Sequence, residues 1–192
     1  GVKKGLGFKY KYPKPTHGNS KGLLPCVTLQ EAIGDLEASP GPYFTGSYSS
    51  IYMSRNRKKR WDEQSFTIQA SGRQAPLHPS GAPMEKVDKD KWIFPDGEDA
   101  HRRLSVREIA RIQTFPDWFT FSDGGNMNVT GNNRLDKQYK QIGNAVPVLL
   151  AKAVADPIAK WAVEHLKNAT SMTPSNYSCF KHRLLLYPAL AR

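Results

Sequence analysis

Cysteine is nearly missing: Cys26 and Cys179 are the only two in 192 residues. They lie too far apart to suggest a disulfide framework or a cysteine-based metal site, and a reducing compartment is the default. No apolar run reaches transmembrane length, no charged-apolar-small leader opens the chain, and no internal repeat recurs. Acidic residues are scarce as well. Seventeen Asp and Glu stand against 28 Lys and Arg, a formal charge of +11. An excess of that size favours a polyanionic partner, either nucleic acid or an acidic membrane surface. The length suits one medium domain or part of a larger protein.

Helical periodicity is also thin over the first hundred residues. Residues 1–25 are rich in Gly, Lys, Tyr and Pro, and Pro13, Pro15 and Pro25 oppose a helix, so this stretch reads as an extended arm. "TLQEAIGDL" reads as a short amphipathic helix, with Thr28 as N-cap and Glu31 completing a capping box. Residues 40–100 hold strand-like runs such as "SYSSIYM" and "SFTIQA" among many Gly and Pro, which predicts a small irregular β-rich module. From 104 onward the period is helical. Ser105 caps a helix with Glu108 three residues on, Leu104, Ile109, Ile112 and Gln113 share one face, and Arg107 and Arg111 lie one turn apart on another. Pro116 predicts a stop at Thr114 or Phe115.

A second helical segment, "KQYKQIGNAVPVLLAKAVADPIAKWAVEHL", is apolar at Val146, Leu149, Leu150, Ala153, Val154, Ile158, Trp161 and Ala162. That spacing predicts a wide, largely buried helix, with Gly143-Asn144 at its N-terminus, Pro147 in its first turn and a kink or restart at Pro157. The fold class that follows is α+β.

In "MSRNRKKRW", five basic residues occupy six positions. Arg55 and Arg57 alternate, so on a strand they share a face. Arginine pairs bidentately with guanine O6 and N7, whereas a basic run can equally grip phosphates without sequence preference.

"RRLSVREIARIQTFPDWFTF" followed by "YKQIGNAVPVLLA" resembles the last two sequence blocks of the DNA (cytosine-5) methyltransferases, in the right order and spacing. Upstream, "YPKPTHG", "VTLQEAIGDL" and "SRNRKKRWDEQSFTIQASGRQAPLHP" resemble the target-recognition region of the bacterial restriction-modification members that modify GGCC sites. The likeness covers roughly residues 8–166. It implies a target-recognition domain over 26–121, supported by a helix at 104–115. A linker and C-terminal helix over 122–166 would then complete, by docking, a Rossmann-like methyltransferase domain that binds S-adenosylmethionine. The tail over 167–192 resembles nothing in the family.

Residue by residue, the resemblance makes Arg55, Arg57 and Arg73 readers of guanine, with Lys58, Lys59 and Arg60 left to the phosphates. Thr67 falls beside the flipped nucleotide, with an ordinary strand residue as the equal alternative. Gly72 would let the backbone come near DNA, and His78 orders a loop. Arg103, Arg107, Glu108 and Arg111 become structural residues that hold the recognition region against the catalytic half, and Asn144, Ala145 and Val146 close over the methionine end of the cofactor. The implied partners are double-stranded DNA and a catalytic N-terminal half or subunit, with no metal and no membrane, in the bacterial cytoplasm.

The family's chemistry flips a cytosine out of the duplex and attacks its C6 with a cysteine thiolate, while S-adenosylmethionine donates a methyl group to C5. Its Gly-rich cofactor loop, Pro-Cys-Gln nucleophile loop and Glu-Asn-Val segment are not in this sequence. Pro25-Cys26 is followed by Val27 and stands past the nucleophile's place, so Cys26 reads as a small apolar filler. The expectation is a DNA-reading portion without catalysis of its own, either from a naturally split enzyme or a fragment. The alternative is a non-catalytic basic DNA-binding or regulatory module.

Overall fold

The computed structural model describes residues 2, 5–123 and 131–170, with side chains as far as 165. The chain divides into two compact units: residues 14–152 form the larger, and residues up to 13 together with those from Ala153 onward form the smaller.

In the larger unit both expected capping boxes are present. Thr28 opens α1 (Leu29–Ile33), its side chain accepting from the Glu31 N–H while the Glu31 carboxylate accepts from the Thr28 N–H at 2.7 Å. Those bonds hold the Glu31 carboxyl below its ordinary range. Ser105 and Glu108 do the same for α2 (Val106–Ile112). Leu29 and Ile33 of α1 and Ile109 of α2 meet in one core with Leu36, Leu104 and Phe44. α2 stops at Ile112, two or three residues short of the expected stop at Thr114 or Phe115. Thr114 takes a left-handed φ of 59°, unusual for a β-branched residue, and its hydroxyl accepts the Leu149 N–H at 2.9 Å. The turn at Thr114, rather than Pro116, ends the helix.

The β-rich expectation fails. Among the described residues the sheet is one antiparallel hairpin, β1 (Glu85–Asp88) with β2 (Lys91–Ile93). "SYSSIYM" instead runs into a 3-10 turn at Tyr52–Ser54, where Tyr52 is wholly buried with its hydroxyl donating to the Ala75 carbonyl at 2.8 Å. "SFTIQA" is extended but joins no ladder. A narrow seam replaces the sheet. Leu77 bridges Lys58 on one side and Arg103 on the other, with the Leu77, His78 and Leu104 N–H groups donating to the carbonyls of Arg57, Arg102 and Pro76.

Where a linker was expected, α3 (Gly131–Asn144) follows. It is mostly polar, but Tyr139 and Ile142 are fully buried in the core. The Tyr139 hydroxyl donates to the Leu104 carbonyl at 2.6 Å and accepts the Phe44 N–H at 3.2 Å, and burial pushes its pKa up. Gly143 and Asn144 therefore close α3 and do not open the next helix. After a break at 145–147, α4 runs over Val148–Thr170 with Pro157 inside it and no restart there. Its expected burial is only partial: Leu149 and Leu150 are 64% and 53% exposed, Val146 in the break before it is 59% exposed, and Ile158 and Trp161 are half-buried. By length and composition alone an 18-residue run inside Gly131–His165 is apolar enough to cross a membrane, contrary to the reading of the sequence. Charged residues stand on both sides of the break, from Arg134 to Lys140 in α3 and at Lys152, Asp156, Lys160 and Glu164 in α4.

In the smaller unit the arm is tied down through its aromatics. Phe8 packs on Trp161 at 5.0 Å, and the Tyr10 hydroxyl donates to the Val154 carbonyl at 2.9 Å. The expected tail begins inside α4, and its residues 171–192, Cys179 included, lie outside the described ones.

Candidate nucleic-acid interface

The seam at Leu77 carries the basic run, and it splits the run in two. Arg57 and Lys58 turn inward, contrary to their expected roles as base reader and phosphate contact. Alternation would have put Arg57 beside Arg55 only on a regular strand, and the Tyr52–Ser54 turn removes that strand. The Arg57 guanidinium lies 4.7 Å from the Tyr52 ring centre, its Nε donates to the Tyr52 carbonyl and its Nη2 to Gln74 Oε1 at 2.9 Å. Lys58 Nζ donates to the carbonyls of Ser80 and Ala82 and to His101 Nδ1. His101 then presents Nε2–H to Asp96 Oδ1 at 2.6 Å. Burial pushes Lys58 down to about 8, which leaves the ammonium form in place at neutral pH, with three acceptors for its three donors.

The other basic residues face out. Arg55 is exposed and has no hydrogen bond or ion pair among the described residues. Lys59 and Arg60 pair with Glu63 and Asp62 at 2.8 Å each. Surface pairs of this kind are worth about 0–1 kcal/mol, so a phosphate can displace either carboxylate. Lys58, Lys59, Arg60 and Trp61 line one cleft of about 380 Å³. Arg73 is exposed on a three-residue turn, Gly72–Gln74, with its guanidinium 5.9 Å from the Phe44 ring centre and bordering a hollow of about 230 Å³ with Ser47, Ser49 and Asn132. Thr67 is exposed on the extended segment before that turn. Gly72 is buried, and a Cβ there would stand 2.6 Å from Phe44 and 2.9 Å from Tyr139. It serves packing rather than an approach to DNA.

The expected structural set holds this chain's own segments. Arg103 is buried; its Nη1 and Nη2 donate to the carbonyls of Gly46 and Ser47, and its Nε to that of Arg73 at 3.4 Å. Glu108 is fully buried, accepts the Ser105 N–H at 2.7 Å and takes both arms of the Arg102 fork at 2.8 Å. Arg102 was missed in the sequence, where nothing separates it from its basic neighbours. Arg111 joins Asp117 and Asp35, which raises its pKa, whereas Arg107 stays half-exposed with only a 3.7 Å approach to Asp117. None of these four needs a second half for its bonds.

His78 is buried, and its Nδ1 accepts the Ser80 N–H at 3.2 Å, so it does order a loop. Its Nε2 has no hydrogen-bond partner and stands 3.6 Å from Glu108 Oε1. Burial holds the imidazole down to about 4, so it is neutral at physiological pH and this approach is not an ion pair.

α3 braces the same loops, which the sequence did not reveal. Asn132 pairs through its amide with the Thr45 backbone, and Asp136 Oδ1 accepts the Gly72 N–H at 2.8 Å and the Ser71 hydroxyl at 3.2 Å. Cys26 is half-buried and forms no disulfide among the described residues.

Residues 30–160 match the family of C-5 cytosine-specific DNA methylases. The chain belongs to that family. It is 73% identical over 169 residues to the type II methyltransferase M.BsuRI of Bacillus subtilis, covering 88% of this chain and 39% of the relative. Against M.BspRI of Lysinibacillus sphaericus the figures are 73%, 88% and 40%, and against M.NgoPII of Neisseria gonorrhoeae 42%, 83% and 48%. The chain therefore spans about two fifths of the length of the first two curated relatives.

The three residues expected to close over a cofactor stand at the break between α3 and α4. Asn144 offers an exposed amide and Val146 an exposed apolar side chain, while Ala145 is half-buried. Gln113 Nε2 donates to the carbonyls of Ile142 and Ala145 and fixes the break from α2's end. Among the described residues no group of three or more His, Cys, Asp and Glu is placed to hold a metal ion.

Proposed function

We propose that this chain is the DNA-recognition portion of a type II DNA (cytosine-5) methyltransferase of a restriction-modification system, reading a short GC-rich site of the GGCC kind. The observation that carries the proposal is the pair of exposed arginines with uncommitted guanidiniums, Arg55 and Arg73, on loops where Arg57, Lys58 and Arg103 are bonded inward and Lys59 and Arg60 are held in surface ion pairs. Arg55 and Arg73 supply the bidentate guanine contacts, Lys59 and Arg60 the phosphate contacts, and Thr67 lies alongside. Arg57 acts behind them as a support for the turn that carries Gln74.

Asn144, Ala145 and Val146 would complete a pocket for S-adenosylmethionine. An amide suits the cofactor's amino-acid end and an apolar wall its carbon chain. The cofactor supplies the methyl group. The uncovered surface of Val146, Leu149 and Leu150 supports docking on a Rossmann-like catalytic part, which fits relatives more than twice as long.

The test is transfer of labelled methyl groups to a GGCC duplex. The chain alone transfers none, and mixing it with the catalytic part of a relative restores transfer. Incorporation by the chain alone overturns the proposal, and site-selective binding without restored transfer identifies a non-catalytic DNA-binding module instead.

A further inference from the structure

Arg73 sits on a turn of three residues that belongs to no strand and no α-helix. What fixes it comes from far along the chain. Asp136 Oδ1 accepts from both the Ser71 hydroxyl and the Gly72 N–H, and Ser71 Oγ in turn accepts the Arg73 N–H at 3.3 Å. Beside this relay the chain is packed without slack. Gly72 has no room for a Cβ against Tyr139, and a Cβ on Gly143 would stand 2.5–2.6 Å from the Gln69 and Ala70 backbone. Asp136, Tyr139 and Gly143 are spaced three and four residues apart, so they share one face of α3. That face is a mould for residues 69–73.

We propose that Asp136 is a positioning residue for DNA reading: through Ser71 and Gly72 it sets the backbone from which Arg73 reaches a guanine. The inference rests on the assignment of Arg73 as a base reader. The sign of its charge makes it testable. A carboxylate beside a polyanion is repelled, so by field alone its removal strengthens binding to any DNA. Positioning demands the opposite on the cognate site only.

The experiment measures affinity of the full chain for a GGCC duplex and a scrambled duplex at matched salt. Variants are Asp136→Ala, Asp136→Asn, Arg73→Ala and the Asp136→Ala/Arg73→Ala double. Asp136→Ala is expected to weaken cognate binding about tenfold, within the range of one bidentate base contact, and to leave the scrambled duplex unchanged or slightly tighter. Asp136→Asn keeps most of the affinity, because its amide oxygen still accepts both hydrogens. In the Arg73→Ala background, Asp136→Ala has no further effect on the cognate duplex. Equal losses on both duplexes, additive losses in the double variant, or an Asn variant as weak as the Ala variant each overturn the inference. If Asp136→Ala melts, Ser71→Ala cuts the same relay, and the same selective loss is required of it. Should Arg73→Ala itself weaken both duplexes equally, the base-reading assignment falls and this inference with it. A selective Arg73→Ala beside an unselective Asp136→Ala removes the inference alone.

Discussion

Glu108→Ala is the most informative single perturbation of the fold. The carboxylate is fully buried and accepts three hydrogens, two from the Arg102 fork at 2.8 Å and one from Ser105 N at 2.7 Å. Truncation leaves Arg102, whose side chain is only 17% exposed, without its counter-charge, and it opens the capping box of α2. Removing one partner of a buried pair costs about 3–5 kcal/mol and loss of a cap about 1 kcal/mol. A loss of about 4 kcal/mol is a large part of the 5–15 kcal/mol typical of a domain. With a urea slope of about 2 kcal/mol per molar, the midpoint falls by about 2 M. Glu108→Gln, which keeps the shape and one acceptor, falls about half as far. Arg111→Ala is the comparison. Its bonds to Asp117 and Asp35 are no longer, at 2.6–2.7 Å, but those carboxylates are 46% and 61% exposed. Its loss stays below about 1 kcal/mol, because solvent screens what bond length suggests. Equal midpoint shifts for Glu108→Ala and Arg111→Ala in urea titrations refute the reasoning.

Three further outcomes are expected. His78 is held neutral in the fold, down to about 4 from an ordinary 6.5, so the unfolded chain binds the proton first. Stability is full above about pH 6.5 and falls by up to about 3 kcal/mol as pH drops towards 4, and His78→Gln, followed by urea midpoints at several pH values, flattens that dependence. On a scrambled duplex, Lys59→Ala and Arg60→Ala each reduce the slope of log affinity against log salt by about 0.9, whereas Lys58→Met leaves it unchanged; a drop of the same size for Lys58→Met contradicts its inward placement. Finally, Val146, Leu149 and Leu150 should bind a hydrophobic dye, and Leu149→Glu/Leu150→Glu should suppress the signal; dye fluorescence unaltered by that double change would locate the apolar surface elsewhere.

The two capping boxes were legible because both partners lie within four residues: Thr28 with Glu31 and Ser105 with Glu108. The family's motif singled out Arg55 and Arg73, which are exposed, but equally Arg57, which is buried. What failed depended on distant partners. Arg57 and Lys58 look like any surface cations until Gln74, Ser80 and His101 arrive from elsewhere in the chain. α3 carries only a narrow apolar stripe, Leu135, Tyr139 and Ile142, in an otherwise polar sequence, and Asn132 and Asp136 bond to loops instead of to water. The β-branched and aromatic runs at 47–53 and 65–70 had strand composition, but Tyr52 and Ile68 were drawn inward singly as core residues.

The inward turn of Arg57, Lys58, Arg102 and Arg103 bears on how such a protein finds its target. A formal charge of +11 credits these four cations to the surface, yet they hold carbonyls, a glutamine and a carboxylate of the chain itself. Binding to random DNA scales with the phosphates neutralised, so each cation kept back shortens the residence on a wrong sequence. A genome offers on the order of 10⁶–10⁹ such competitors. For a chain that reads DNA as proposed, the buried cations shorten the search rather than tighten the grip.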